Sequence, residues 1–85
     1  MKVEHILKHW EKKYGYIALS KAERKVFSQL KGKRFTLKMQ GEILYERHID
    51  PEGRIFVGRG PLKSFEVGER FTISLHQQGL VVEKA

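Results

Sequence analysis

The sequence predicts a mainly β fold: six strands closed into a barrel of pseudo-two-fold symmetry, two short crossing helices, and one further helix at the N-terminus. Three observations carry this expectation. The stretch KGKRFTLKM (31–39) recurs as VGERFTISL (67–75), sharing Gly, one intervening residue, Arg-Phe-Thr, and then Leu or Ile. Upstream, YGYIALSKAERKVF (14–27) lies on EGRIFVGRGPLKSF (52–65) without a gap, matching Gly15 with Gly53, Ile17 with Ile55, Lys25 with Lys63 and Phe27 with Phe65. Small gaps add Gly32/Gly68, Arg34/Arg70, Phe35/Phe71, Thr36/Thr72 and Glu46/Glu83, so nine identities accompany a repeated order of strand, helix and two strands. One such unit has too few strands to cover its apolar face and its edges, whereas two units closed on each other remove edges.

The elements follow in chain order. Val3, Ile6, Leu7, Trp10 and Tyr14 have the spacing of one helical face, with charged residues between them, so residues 1–13 read as an amphipathic helix added to the barrel and stopped by Gly15. The first repeat (14–49) begins with a short strand over 14–19. Ser20, with Glu23 three residues on, is a capping box for a helix over 21–30. RFTLKM (34–39) and ILYERHI (43–49) form a hairpin about QGE (40–42). The second repeat (50–85) opens with the turn DPEG (50–53), in which Asp starts the turn, Pro presets φ and Gly closes it. RIFV (54–57) is a strand, 58–65 has room for a short helix, and ERFTISL (69–75) and LVVEK (80–84) flank the turn HQQG (76–79). Phe35, Leu37, Ile43, Tyr45, Ile55, Val57, Phe71, Ile73, Leu80 and Val82 are expected to point inward by alternation.

Charge bounds the function. The 85 residues carry a formal net charge of +7. Residues 1–34 hold ten basic and three acidic residues, and residues 35–85 hold seven of each, so the whole excess lies in the first two-fifths of the chain. Such a local field suits a polyanionic partner, while a lysine-rich solvated surface is the bland alternative. With no Cys there is neither a disulfide framework nor a thiolate metal site, and a cytoplasmic location is expected. No run of apolar residues is long enough for a membrane span, and charges interrupt the first thirteen residues.

The second repeat resembles the AbrB/SpoVT type of DNA-binding domain, the swapped-hairpin barrels. Arg47, Asp50, Gly53, Arg54, Ile55, Val57, Leu62, Gly68, Ile73 and Val81 fit that pattern. Gly58 stands where the family usually has Pro, an insertion is needed near Gly60-Pro61, and Tyr16 stands in the first repeat where Arg54 stands in the second. Family members dimerise to complete the barrel; a single chain with both halves is similar to the RIFT and double-psi barrels of the cradle-loop group. The resemblance implies double-stranded DNA as partner, a monomer or homodimer, and a role as a small transcriptional regulator. It places Arg47, Arg54 and Lys63 on DNA-contacting positions with Arg59 nearby, where they would meet phosphates. For Arg54 the competing reading is pairing with Asp50 or Glu52 to hold the turn.

A second basic set, which includes Lys12, Lys13, Lys21, Arg24 and Lys25, carries the charge excess itself. Whether the two sets merge depends on where the pseudo-two-fold puts the helices. His5 and His9 have a metal-pair spacing, but no third ligand accompanies them, so no metal is expected. His48, Asp50 and Glu52 lack an activated nucleophile, so no enzymatic activity and no cofactor are expected. Trp10, Tyr14 and Tyr16 could stack on bases, but their spacing favours core packing. Two rival functions stay open: a nucleotide- or flavin-binding barrel of the RIFT type, and a protein-interaction adaptor using the N-terminal helix.

Overall fold

The computed structural model describes residues 1–77 and 79–85. Its elements are β1 (Lys2–Ile6), α1 (His9–Tyr14), β2 (Tyr16–Ala18), α2 (Lys21–Val26), a 3₁₀ turn (Ser28–Leu30), β3 (Phe35–Met39), β4 (Glu42–Arg47), β5 (Arg54–Phe56), α3 (Arg59–Leu62), β6 (Arg70–His76) and β7 (Gly79–Lys84). The repeated order survives as β2-α2-β3-β4 and β5-α3-β6-β7. The expected turn at 76–79 includes Gln78, which lies outside the described residues.

The two repeats meet at β2 and β5, an antiparallel pair in which Ile17 faces Ile55. Equivalent contacts appear on both sides of this pair. The N–H of Val57 donates to the carbonyl of Gly15 at 2.9 Å, and the N–H of Leu19 donates to that of Gly53 at 2.8 Å. Gly15 (φ 79°) and Gly53 (φ 84°) share the left-handed conformation that ends each entry turn. A Cβ on Gly15 would sit 2.8 Å from the backbone of Gly58 and Arg59, so a side chain there is excluded by space as well as by φ. The matched phenylalanines Phe27/Phe65 and Phe35/Phe71 are all buried. They join Ile17, Ile55, Leu37, Leu62, Ile73, Leu80 and Val82 in one core that links both sheets. Each such fully buried side chain contributes about 1.5–3 kcal/mol by leaving water.

The barrel does not close. Among the described residues there are seven strands, in a five-stranded sheet of order β1-β6-β7-β3-β4 and the separate pair β2-β5. β3 pairs in parallel with β7, and strict two-fold symmetry would pair β6 with β4 in the same way. Instead β1 lies antiparallel on β6, from Lys2↔Ser74 to Ile6↔Arg70, and occupies that edge. This corrects the expected helix over residues 1–13. The first half of that segment is a strand, because an unpaired β6 edge rewards pairing more than local helical propensity rewards a helix. Only His9–Tyr14 is helical, and Gly15 ends it as expected (φ 79°). The helix expected over 21–30 likewise stops at Val26 and continues as the 3₁₀ turn.

β4 is left as an outer edge, and a bulge interrupts its pairing with β3. Phe35 lies opposite Arg47 and Leu37 opposite Leu44, so β4 holds one residue more than β3 over this interval. Glu46, at φ 57°, marks the irregularity. Before the bulge, the two-residue turn at Gln40-Gly41 sets Met39 opposite Glu42 and Leu37 opposite Leu44, so Leu44 faces the core while Ile43 (49 % exposed) and Tyr45 (66 % exposed) lie on the outside. These two are therefore not inward residues, whereas the other eight expected inward positions are buried.

Candidate nucleic-acid interface

The folded chain breaks the two basic sets apart and recombines them. α2 carries Lys21, Arg24 and Lys25 to the side of the loop that joins β4 to β5, and a groove of about 620 Å³ opens between them. Lys31 and His48 also line it. The carboxylate on its wall, Asp50, is already engaged. Its Oδ1 accepts the N–H of Arg54 at 2.8 Å and of Glu52 at 3.0 Å, and its Oδ2 accepts Nε of Arg54 at 2.9 Å. Although partial burial pushes the Asp50 carboxyl up, these bonds from Arg54 and Glu52 outweigh it and hold the group below its ordinary value. Cations therefore rim a largely apolar groove, without a free counter-charge on the same wall. Arg24 is half-buried and lies across Gly53, where a Cβ would come within 2.7 Å of its Cδ and Nε. Its Nε is shielded from solvent and has no hydrogen-bond partner among the described residues.

The second recombination joins α1 to α3, which pack against each other. Lys12 donates from Nζ to the carbonyl of Phe65 at 2.7 Å, so its charge is partly spent on holding the chain. Lys13, Arg59 and Lys63 are exposed. Arg47, at the end of β4, donates from a terminal guanidinium nitrogen to the carbonyl of Tyr45 at 3.2 Å, and its Nε has no partner among the described residues. Arg54 has the partners that the competing reading assigned to it: Asp50, and Glu52 at 3.4 Å. Arg34 and Arg70, matched by the repeat, pair with Glu46 (3.5 Å) and Glu4 (3.8 Å) on the exposed surface, where such pairs add little stability.

The aromatic residues are where sequence reasoning missed most. Alternation along the β2-β5 pair buries Ile17 and Ile55 and turns Tyr16 and Phe56, which are directly opposed, to the outer face. The rings of Tyr14 and Tyr16 are near parallel (8°) with centroids 6.3 Å apart, and Tyr16 meets Phe56 edge-on at 5.3 Å. The Arg54 guanidinium lies 5.7 Å from the Tyr16 ring and 5.3 Å from that of Phe56, and Lys13 lies 5.5 Å from Tyr14. Tyr14 (57 %) and Trp10 (41 %) remain exposed, which corrects their expected place in the core, and Phe56 (49 %) is exposed beside them. Tyr16 is half-buried.

Beneath these surfaces a polar cluster replaces part of the core. His5 is 4 % exposed and Glu11 fully buried. Nε2 of His5 lies 2.7 Å from Glu11, and Nδ1 lies 3.0 Å from Glu23. Two ionised carboxylates only accept, so both ring nitrogens donate and the ring is imidazolium. Burial alone would lower the His5 pKa, but hydrogen bonds and charge from Glu11 and Glu23 raise it above its ordinary value. Burial likewise pushes Glu11 up, and His5 together with the N–H groups of Ala18 and Lys8 brings it below its ordinary value. His5 and His9 do not converge on a metal site: His5 is on a strand among carboxylates, and His9 is exposed on α1. No group of three or more His, Cys, Asp or Glu side chains among the described residues is arranged to hold a metal ion. No described helix is long and apolar enough to cross a membrane. Comparison of the chain with protein-family models, with curated proteins and with solved structures finds no match.

Proposed function

We propose that this protein binds nucleic acid through phosphate contacts centred on the groove between α2 and the β4–β5 loop. The observation that carries the reading is the gathering of Lys21, Arg24, Lys25 and Lys31 around one groove whose lining carboxylate is held by Arg54. Cations spread evenly over a surface would be satisfied by solvent. Cations gathered on a concave wall favour an anionic ligand that brings several charges at once. The regulator of the AbrB/SpoVT kind expected from the resemblance of the second repeat is one form of this activity.

The test is a fluorescence-anisotropy titration with labelled 15-nucleotide probes, single-stranded and duplex, at two salt concentrations of about 50 and 200 mM. Affinity is expected to fall steeply with salt, with a slope of about 0.7–0.9 in log–log units per phosphate contact. The double variant Lys21→Gln, Lys25→Gln should reduce that slope by up to about two contacts. No binding of either probe at the lower salt refutes the proposal. A thermal shift with a mononucleotide, without oligonucleotide binding, would assign the groove to a small-ligand site instead.

A further inference from the structure

We infer that the outer face of the β2-β5 pair is a stacking platform for unpaired bases, so that the nucleic acid this protein prefers is single-stranded. The inference rests on the nucleic-acid reading above and specifies its partner. Tyr16 and Phe56, on the solvent side of the two-stranded sheet, and Tyr14, at the end of α1 beside it, form a continuous row of rings. Two of the three are about half exposed or more, at 57 % and 49 %. Large rings left in water are costly unless something covers them.

What covers this row is indicated by the charges around it. Lys13 stands over Tyr14 at one end, and Arg54 stands over Tyr16 and Phe56 at the other. Arg54 is followed backward along the chain by Gly53, over which Arg24 of the cationic groove lies. Rings and cations thus alternate along one run of surface, and an apolar protein partner would have to desolvate those cations. A single strand satisfies both kinds of group, with bases on the rings and phosphates toward Lys13 and the cations of the groove, while Arg54 is already paired with Asp50 and Glu52. A duplex hides its base faces and leaves the rings unused. Asp50 and Glu52 strengthen the case geometrically, because they hold the Arg54 guanidinium over its two rings.

The experiment uses a fluorescein-labelled 15-nucleotide single-stranded DNA, the matching single-stranded RNA, and the 15-base-pair duplex, titrated with the full chain and with Tyr14→Ala and Phe56→Ala. Both substitutions are at exposed rings, and thermal unfolding followed by the fluorescence of Trp10 checks that each variant is folded. Each should weaken single-strand binding by roughly 5- to 150-fold, the range of one lost base–ring stack, while the salt slope stays as in the wild type. Tyr14→Phe keeps the ring and should bind as the wild type does. Equal affinity for DNA and RNA strands, or preference for either, fits the platform, since every base has a stacking face. Duplex binding equal to or tighter than single-strand binding, with the alanine variants unchanged, overturns the platform and leaves the phosphate reading standing. Failure of all three probes at low salt overturns both.

Discussion

Replacing Glu11 by Gln tests the buried His5 cluster. The substitution keeps the shape of the side chain and exchanges one acceptor oxygen for a donor. In the native fold both oxygens are committed: Oε1 accepts from the N–H of Lys8 at 2.8 Å, and Oε2 accepts from the N–H of Ala18 and from His5, each at 2.7 Å. Whichever way the amide turns, its NH₂ group faces at least one N–H donor, and His5 loses one of its two counter-charges. Removing one partner from a buried charged network costs about 3–5 kcal/mol. For a domain of this size roughly 4–8 °C of Tm accompanies each kcal/mol, so Tm should fall by about 12 °C or more.

The pH dependence supplies the second half of that test. The pKa of His5 is raised in the folded state, so its contribution is complete below the ordinary value of 6.5 and is lost as pH rises through the higher folded value. Between those two values the wild type should lose about 1.4 kcal/mol per pH unit. Urea denaturation midpoints measured from pH 6 upward read this slope directly. Glu11→Gln should flatten it, and His5→Gln should abolish it. A wild-type profile without that slope, or a Glu11→Gln variant within about 2 °C of the wild type and with the slope intact, would refute the imidazolium held between two carboxylates.

Three other substitutions probe the repeat and the turn. Gly15→Ala meets both a positive φ, which costs an L-residue about 1–2 kcal/mol, and the backbone of Gly58 and Arg59 at 2.8 Å. Gly32→Ala meets only the φ cost, since nothing lies within 4 Å, so Gly15→Ala should show the lower Tm of the two. Asp50→Ala leaves the N–H groups of Glu52 and Arg54 without their acceptor and should cost about 1–3 kcal/mol in urea denaturation. Because the Asp50 pKa is lowered in the fold, its contribution is present above the ordinary 3.8 and disappears as pH falls through the folded value. The variant should therefore lack that part of the acid-side loss.

Much of the architecture was legible because it depends on local chemistry repeated twice. Ser20 and Glu23 form the expected capping box, with the Glu23 N–H donating to Ser20 Oγ at 3.2 Å and the Ser20 N–H donating to Glu23 Oε1 at 2.7 Å. Asp50 starts its turn and Gly53 closes it, its N–H donating to the Asp50 carbonyl at 2.9 Å, and the matched glycines and phenylalanines hold equivalent places. The groove was half legible: its lysines stood out by charge, but nothing in the order of residues said that Arg24 would lie over Gly53. The aromatic row was hidden by its spacing. Tyr14 and Tyr16 read as a helix face running into a strand, and only the partner strand shows that Tyr16 and Phe56 share an outer face.

By itself, then, the sequence determined the repeat, its turns and caps, its β-rich character and the location of its excess charge. Each of these is set by neighbours a few residues apart. Tertiary structure alone decided the closure of the sheet, the fate of the first residues and the exposure of the rings. Val3, Ile6, Leu7, Trp10 and Tyr14 fit a helix in isolation, yet the open edge of β6 draws Lys2–Ile6 into a strand. That pairing buries His5 between two carboxylates, occupies the edge β4 would need to close a barrel, and leaves β4 outside. A hydrogen-bonding edge that lies nearly seventy residues away in the chain exerts no signal on the local pattern, and its pull is felt only once the sheet is assembled.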